Sequence, residues 1–326
     1  MNNFKQDSYI IKDFFRYKKQ ILIILIITAT LSLAIMFGFK FIKDPPNNNQ
    51  PDGYTKINFE SENIPVLRLG HYTLWGGNSD GSYTFIKRFN ALDGLTSLDT
   101  EKLIQLEADN LNDYTSFIVT LEPEGDRNEE IDGITFLEGA VVDNRAELKF
   151  VQSSLLTDQL TGTYILATPS DGNNGINEKS GVWFTNTEHN QASLDIPSIE
   201  SSMWTWEARL IKEDTTDPLI LGRFQSNTGP DSSNSYSEIS ARGYSFPGED
   251  FLSNLPDGYT GPLNLSNGDY KIVISLEPQL SNTEDPTGSL LFAPILEALI
   301  PAGSDANTPL QLENIVNQPI ITLTLE

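Results

Sequence analysis

The feature that most limits what this chain can become is a strand motif that occurs twice. It reads Phe117-Ile118-Val119-Thr120-Leu121-Glu122-Pro123 and, again, Ile272-Val273-Ile274-Ser275-Leu276-Glu277-Pro278. Each copy is a run of β-branched and apolar residues, the composition of a largely buried strand, and each closes on a proline with no N–H to give to a ladder. The surroundings recur in the same order, as duplication of a whole domain requires. Lys56-Ile57-Asn58-Phe59 leads through Ile64-Pro65 to Tyr72-Thr73-Leu74-Trp75, and Val182-Trp183-Phe184 leads through Ile196-Pro197 to Trp204-Thr205-Trp206. The equal spacing from proline to the first strand aromatic predicts that Tyr72 and Trp204 are equivalent. Asp80-Gly81 and Asp217-Pro218 are turn signals, each followed by a strand that ends in Arg-Phe, at Arg88-Phe89 and Arg223-Phe224.

Past these points the copies diverge in length. Residues 243–252 have no evident partner in the first copy, whose corresponding stretch, 98–108, reads as a short helix. Residues 134–137 match 289–292, and residues 145–151 match 320–325 as final strands. The stretch 155–167 is the joint, with Thr163-Tyr164-Ile165-Leu166-Ala167 able to pair with either sheet. Short alternating strands separated by turn residues predict an all-β fold of two tandem β-sandwich domains, one over 56–154 and one over 155–326.

Ahead of them, residues 21–39 are nineteen positions without a charge, enough for a helix to cross the hydrocarbon core at about 1.5 Å per residue. The run is long for a signal peptide and no small-x-small cleavage site follows it, so it reads as an uncleaved single-pass transmembrane anchor. Lys5, Lys12, Arg16, Lys18 and Lys19 precede it and only Lys40 and Lys43 follow closely, which places the tail of residues 1–20 in the cytoplasm and the bulk outside the cell membrane. Residues 40–55 form a linker. Residues 1–43 carry a net charge of +5 against −24 for the whole, leaving −29 on the rest. Such an acidic body repels phosphate backbones, which excludes nucleic acid as a partner and leaves a protein outside the membrane as the expected one. With no cysteine there are no disulfides, thiolate metal sites or thiol nucleophiles.

The order of Tyr72-Thr73-Leu74-Trp75, Asp80-Gly81, Arg88-Phe89, Thr120-Leu121-Glu122-Pro123 and Glu124-Gly125 resembles the extracytoplasmic C-terminal domain of anti-sigma-K factors. The second copy keeps Ser275-Leu276-Glu277-Pro278 and Pro286-Thr287-Gly288, so the likeness spans residues 57–326 as a tandem pair. The resemblance implies a fold outside the membrane and, as an alternative function, regulation of an extracytoplasmic-function sigma factor. Twenty cytoplasmic residues do not supply that family's sigma-binding domain.

Candidate chemistry is sparse, and no catalytic, cofactor or metal residue is assigned. His71 and His189 stand at non-equivalent places, without metal-ligand spacing or a nucleophile elbow. Glu122 and Glu277 could be cast as paired acid and base, but the same position in two copies is more economically a structural one. The acidic runs at 122–132 and 171–178 lack the ligand spacing of an EF-hand and read as solvated loops. Trp204 and Trp206 share a strand face and, with Trp75 and Trp183, read as core aromatics rather than a sugar platform.

Overall fold

The structure, a computed structural model, describes residues 54–91, 96–97, 105–109, 111–172, 175–200, 202–212, 218–232, 235–237, 244–279 and 291–326. The tail, the anchor at 21–39 and nearly all of the linker lie outside the described residues. Among the described residues no helix is long and apolar enough to cross a membrane.

Gly53–Glu326 forms one unit, all-β, with two sheets and 45% strand. In chain order the first half provides β1 (Tyr54–Glu62), β2 (His71–Gly77), β3 (Tyr83–Asn90), β4 (Thr96–Ser97), β5 (Gln105–Asp109), β6 (Ser116–Glu122), β7 (Ile134–Val142) and β8 (Arg145–Phe150). The second provides β9 (Thr161–Leu166), β10 (Gly181–Trp183), β11 (Leu194–Asp195), β12 (Trp204–Lys212), β13 (Leu219–Phe224), β14 (Gly248–Asp250), β15 (Tyr270–Pro278), β16 (Ala293–Leu299), β17 (Leu310–Asn314) and β18 (Ile320–Leu325). One sheet runs β4-β3-β2-β6-β7-β8-β18-β1-β5 and the other β13-β12-β15-β16-β17-β9-β10-β14, with β11 beside β9.

Laid side by side, these orders match at eight successive positions, from β3 over β13 to β5 over β14. Irregularities match too. The pairing slips between Leu74 and Trp75 in one copy and between Ala208 and Arg209 in the other, and again between Val119 and Thr120 and between Ile274 and Ser275. A bulge re-aims every side chain beyond it, so bulges shared at the same places point to one ancestral sheet copied whole.

Register corrects several sequence expectations. Tyr72 lies opposite Leu121, whereas Trp206, not Trp204, lies opposite Leu276. The second copy has two additional residues after its proline, and a two-residue slip leaves the same face inward, so alternation cannot detect it. The hydrogen bonds agree with the corrected register: Tyr72 Oη donates to the Pro65 carbonyl at 2.8 Å and Trp206 Nε1 to the Pro197 carbonyl at 2.9 Å. Ile134 pairs with Leu121 and Ala293 with Leu276, so the match to 134–137 is 293–296 rather than 289–292. The helix expected over 98–108 is contradicted at its end, where 105–109 is strand β5 paired with β1. Its counterpart is β14, so residues 243–252 do have a partner in the first copy.

The largest departure concerns the end of the chain. The strand equivalent to β8 is β17, and β18 occupies the place that β9 takes in the second sheet. β18 lies between β8 and β1, and β9 between β17 and β10. The second sheet is thus completed by the strand that precedes it in sequence, and the first by the last strand of the chain. Residues 320–325 are not a closing strand of the second sheet.

Strand β8 alternates exposed and buried, sending Ala146, Leu148 and Phe150 inward, whereas β2 is buried at every position because both its faces are covered. The inward side chains of both sheets join in one apolar core. Aromatic contacts cross between copies, with ring centroids 5.2 Å apart for Phe136 and Phe292 and 5.0 Å for Phe150 and Trp204.

Candidate functional site

The covered outer faces of β2-β6 and β12-β15 bury an equivalent group of polar side chains. This follows from period two: with Tyr72 and Trp206 inward, His71 and Thr73, like Thr205 and Glu207, point outward. In the second copy Glu207 is wholly buried and its carboxylate accepts from Nε of both Arg209 and Arg223. Beside it, Glu277 accepts from Ser275 Oγ and, at 3.0 Å, from the Phe292 amide. Burial pushes the Glu277 carboxyl up to about 8, against the pull of Arg209.

In the first copy Thr73 stands for Glu207, Trp75 for Arg209, Arg88 for Arg223, Thr120 for Ser275 and Glu122 for Glu277. Trp75 Nε1 donates to Thr120 Oγ1 at 2.8 Å, and Thr120 in turn donates to Glu122. Burial raises the Glu122 carboxyl, with Thr120 opposing. Burial also lowers His71, and the charge of Arg88 adds to that. The loop between β6 and β7 closes over this group, with Arg88 Nη2 donating to the Asn128 carbonyl. Gly133 lies so near that a Cβ there would sit 1.7 Å from the Leu121 carbonyl oxygen and 2.7 Å from Glu122 Oε2. Only glycine fits.

Glu122 and Glu277 therefore belong to different sheets, and each is tied to its own strand neighbours. His71 is buried, whereas His189 stacks on Tyr244 at 4.1 Å with Nε2 3.0 Å from Asn307 Oδ1. Trp204 and Trp206 lie in the apolar core, Trp75 is buried instead among the polar group on the outer face, and Trp183 Nε1 donates to Asp250 at 2.7 Å. The acidic run after Glu122 serves its own turns: Asp126 accepts from the Asn128 amide at 3.0 Å and Asp132 from Asn128 Nδ2 at 2.6 Å. Among the described residues no three His, Cys, Asp or Glu side chains are placed to hold a metal ion.

Sequence reasoning missed two features. The first is the buried acid pair on β14, where burial lifts Glu249 to about 7 and Asp250 to about 6. Gly248-Glu249-Asp250-Phe251 looks like a surface loop, and nothing local signals burial. The second is an open cleft of about 610 Å³ beside β10, lined by residues 175–180 and 262–264 with Asp305 and Ala306. Lys179 and Asp305 face each other across it at 3.7 Å, and Ile176 is 80% exposed at its edge. The acidic stretch 171–178 thus contributes to a concave surface. No family model and no curated protein matches this chain.

Proposed function

We propose that this is a membrane-anchored, extracytoplasmic binding or sensing protein without enzymatic activity, in which residues 21–39 carry two tandem β-sandwich domains outside the membrane. The observation that carries the reading is a sequence of parts: basic residues, nineteen uncharged positions, a Pro- and Asn-rich linker, then an acidic all-β unit over Gly53–Glu326. A structural role for the acids is supported by their bonding, since Glu122 and Glu277 are held by Thr120, Ser275 and the Phe292 amide within their own sheets. The open cleft beside β10, with mixed apolar and polar walls, offers a protein partner a concave surface. Protease treatment of intact cells producing the full chain should release fragments that begin at or after residue 44. A mature N-terminus near residue 40 would overturn the anchor.

The motif order shared with anti-sigma-K ectodomains favours a second reading, in which residues 1–20 contact a sigma factor and the state of the ectodomain reaches it through the helix. Binding of a peptide of residues 1–20 to purified sigma factors distinguishes the two. The first reading expects none.

A further inference from the structure

The two polar clusters are built alike but close differently. In the second, Glu207 occupies the middle and satisfies Nε of both arginines, and of this group Glu277 Oε2 alone is left with no hydrogen-bond partner. In the first, the residue at that place is Thr73, and four buried polar atoms are left with no hydrogen-bond partner: His71 Nε2, Thr73 Oγ1, Arg88 Nε and Glu122 Oε2. They are neighbours by register, since His71 lies opposite Glu122 and Thr73 lies opposite Arg88 on one side and Thr120 on the other. His71, Thr73 and Glu122 are 4%, 1% and 1% exposed. Folded chains do not leave several buried donors and acceptors unmatched at one spot, because each would have surrendered its water for nothing.

We propose that the first cluster contains a buried, ordered water, bound by Arg88 Nε, Thr73 Oγ1, Glu122 Oε2 and His71 Nε2 in the place that the Glu207 carboxylate fills in the second copy. Water suits this mixed set because it accepts from the guanidinium N–H and donates to the carboxylate and to one neighbour, the usual complement of about three bonds. An anion fits worse. It would meet a single arginine beside the Glu122 carboxyl, with the charges of Asp126 and Asp132 also acting on the site from the covering loop. A metal cation would have to sit against Arg88. The difference in size agrees: threonine is two heavy atoms shorter than glutamate, so the side chain at position 73 does not reach where the Glu207 carboxylate meets its arginines.

A high-resolution crystal structure of the full chain tests this. The expected result is one peak within about 3.2 Å of Arg88 Nε and of at least two of the other three atoms, with no matching peak beside Glu207. In crystals soaked in bromide that peak should show no anomalous signal. Thr73→Glu should abolish the peak and place the introduced carboxylate on Arg88 Nε, reproducing the second copy. Thr73→Val, which keeps the shape and removes one partner, should lower its occupancy, and it covers the case in which the first variant does not fold. Absence of a peak, or anomalous density from bromide, overturns the assignment.

Discussion

At Glu277 a carboxyl is enclosed so completely that its proton becomes part of the fold. Its pKa in the folded chain is about 8, against roughly 4.3 for an ordinary glutamate. Between those values the folded state holds a proton that the unfolded chain has released, so the contribution to stability is greatest below about pH 4.3 and declines as pH rises towards 8. Asp250, raised by burial to about 6, acts in the same direction over a lower range. The melting temperature is therefore expected to fall between about pH 5 and pH 8. Glu277→Gln, whose amide oxygen can keep the bonds from Ser275 and Phe292, should make that fall shallower in thermal scans across the range. An unchanged slope would mean that Glu277 is ionised in the folded protein. The motif made Glu122 and Glu277 conspicuous in sequence. Thr120 and Ser275, two residues away on the same strands, were in view as well. What stayed hidden is the Phe292 amide and the charges of Arg209 and Glu207 beside Glu277, because sequence spacing does not encode contact across strands.

Among the elements, the strands that sequence placed well are long and apolar: β2, β6, β12 and β15 carry enough β-branched and aromatic residues to declare themselves. β5 and β14 escaped, since five and three residues inside polar loops carry little periodicity, and both are set by pairing with β1 and β10. β18 was recognised as a strand but given the wrong neighbours, because pairing at such separation is a property of topology. It should nonetheless dominate stability. Ile321, Leu323 and Leu325 are buried from the middle of the first sheet, each worth about 1.5–3 kcal/mol relative to exposure. Together they approach the total of about 5–15 kcal/mol that holds a typical domain. Deleting residues 320–326 should abolish cooperative urea unfolding of the first sheet, read from the fluorescence of Trp75. A truncated chain that keeps the parent's transition would show that β18 is dispensable.

For the whole molecule, the shared strand order means that the first sheet is complete only when both termini of the β unit are present. A fragment of residues 54–152 should not fold. The same fragment preceded by residues 319–326 through a short Gly-rich turn should fold, because Glu326 and Lys56 already exchange backbone hydrogen bonds of 2.8 and 3.1 Å and the new order places β18 directly before β1, as β9 directly precedes β10. Circular dichroism of the two fragments separates the outcomes, and a folded bare fragment would show that the first copy is autonomous.

The position of β18 also changes what it means to cut this chain. A break in the exposed segment around Asp158, between β8 and β9, would sever the covalent path from one copy to the other. It would not part them. The downstream piece would still be threaded through the upstream sheet by its final strand, so the nicked protein would behave as a heterodimer in which one subunit lends the other a missing strand. Its halves would separate only on unfolding.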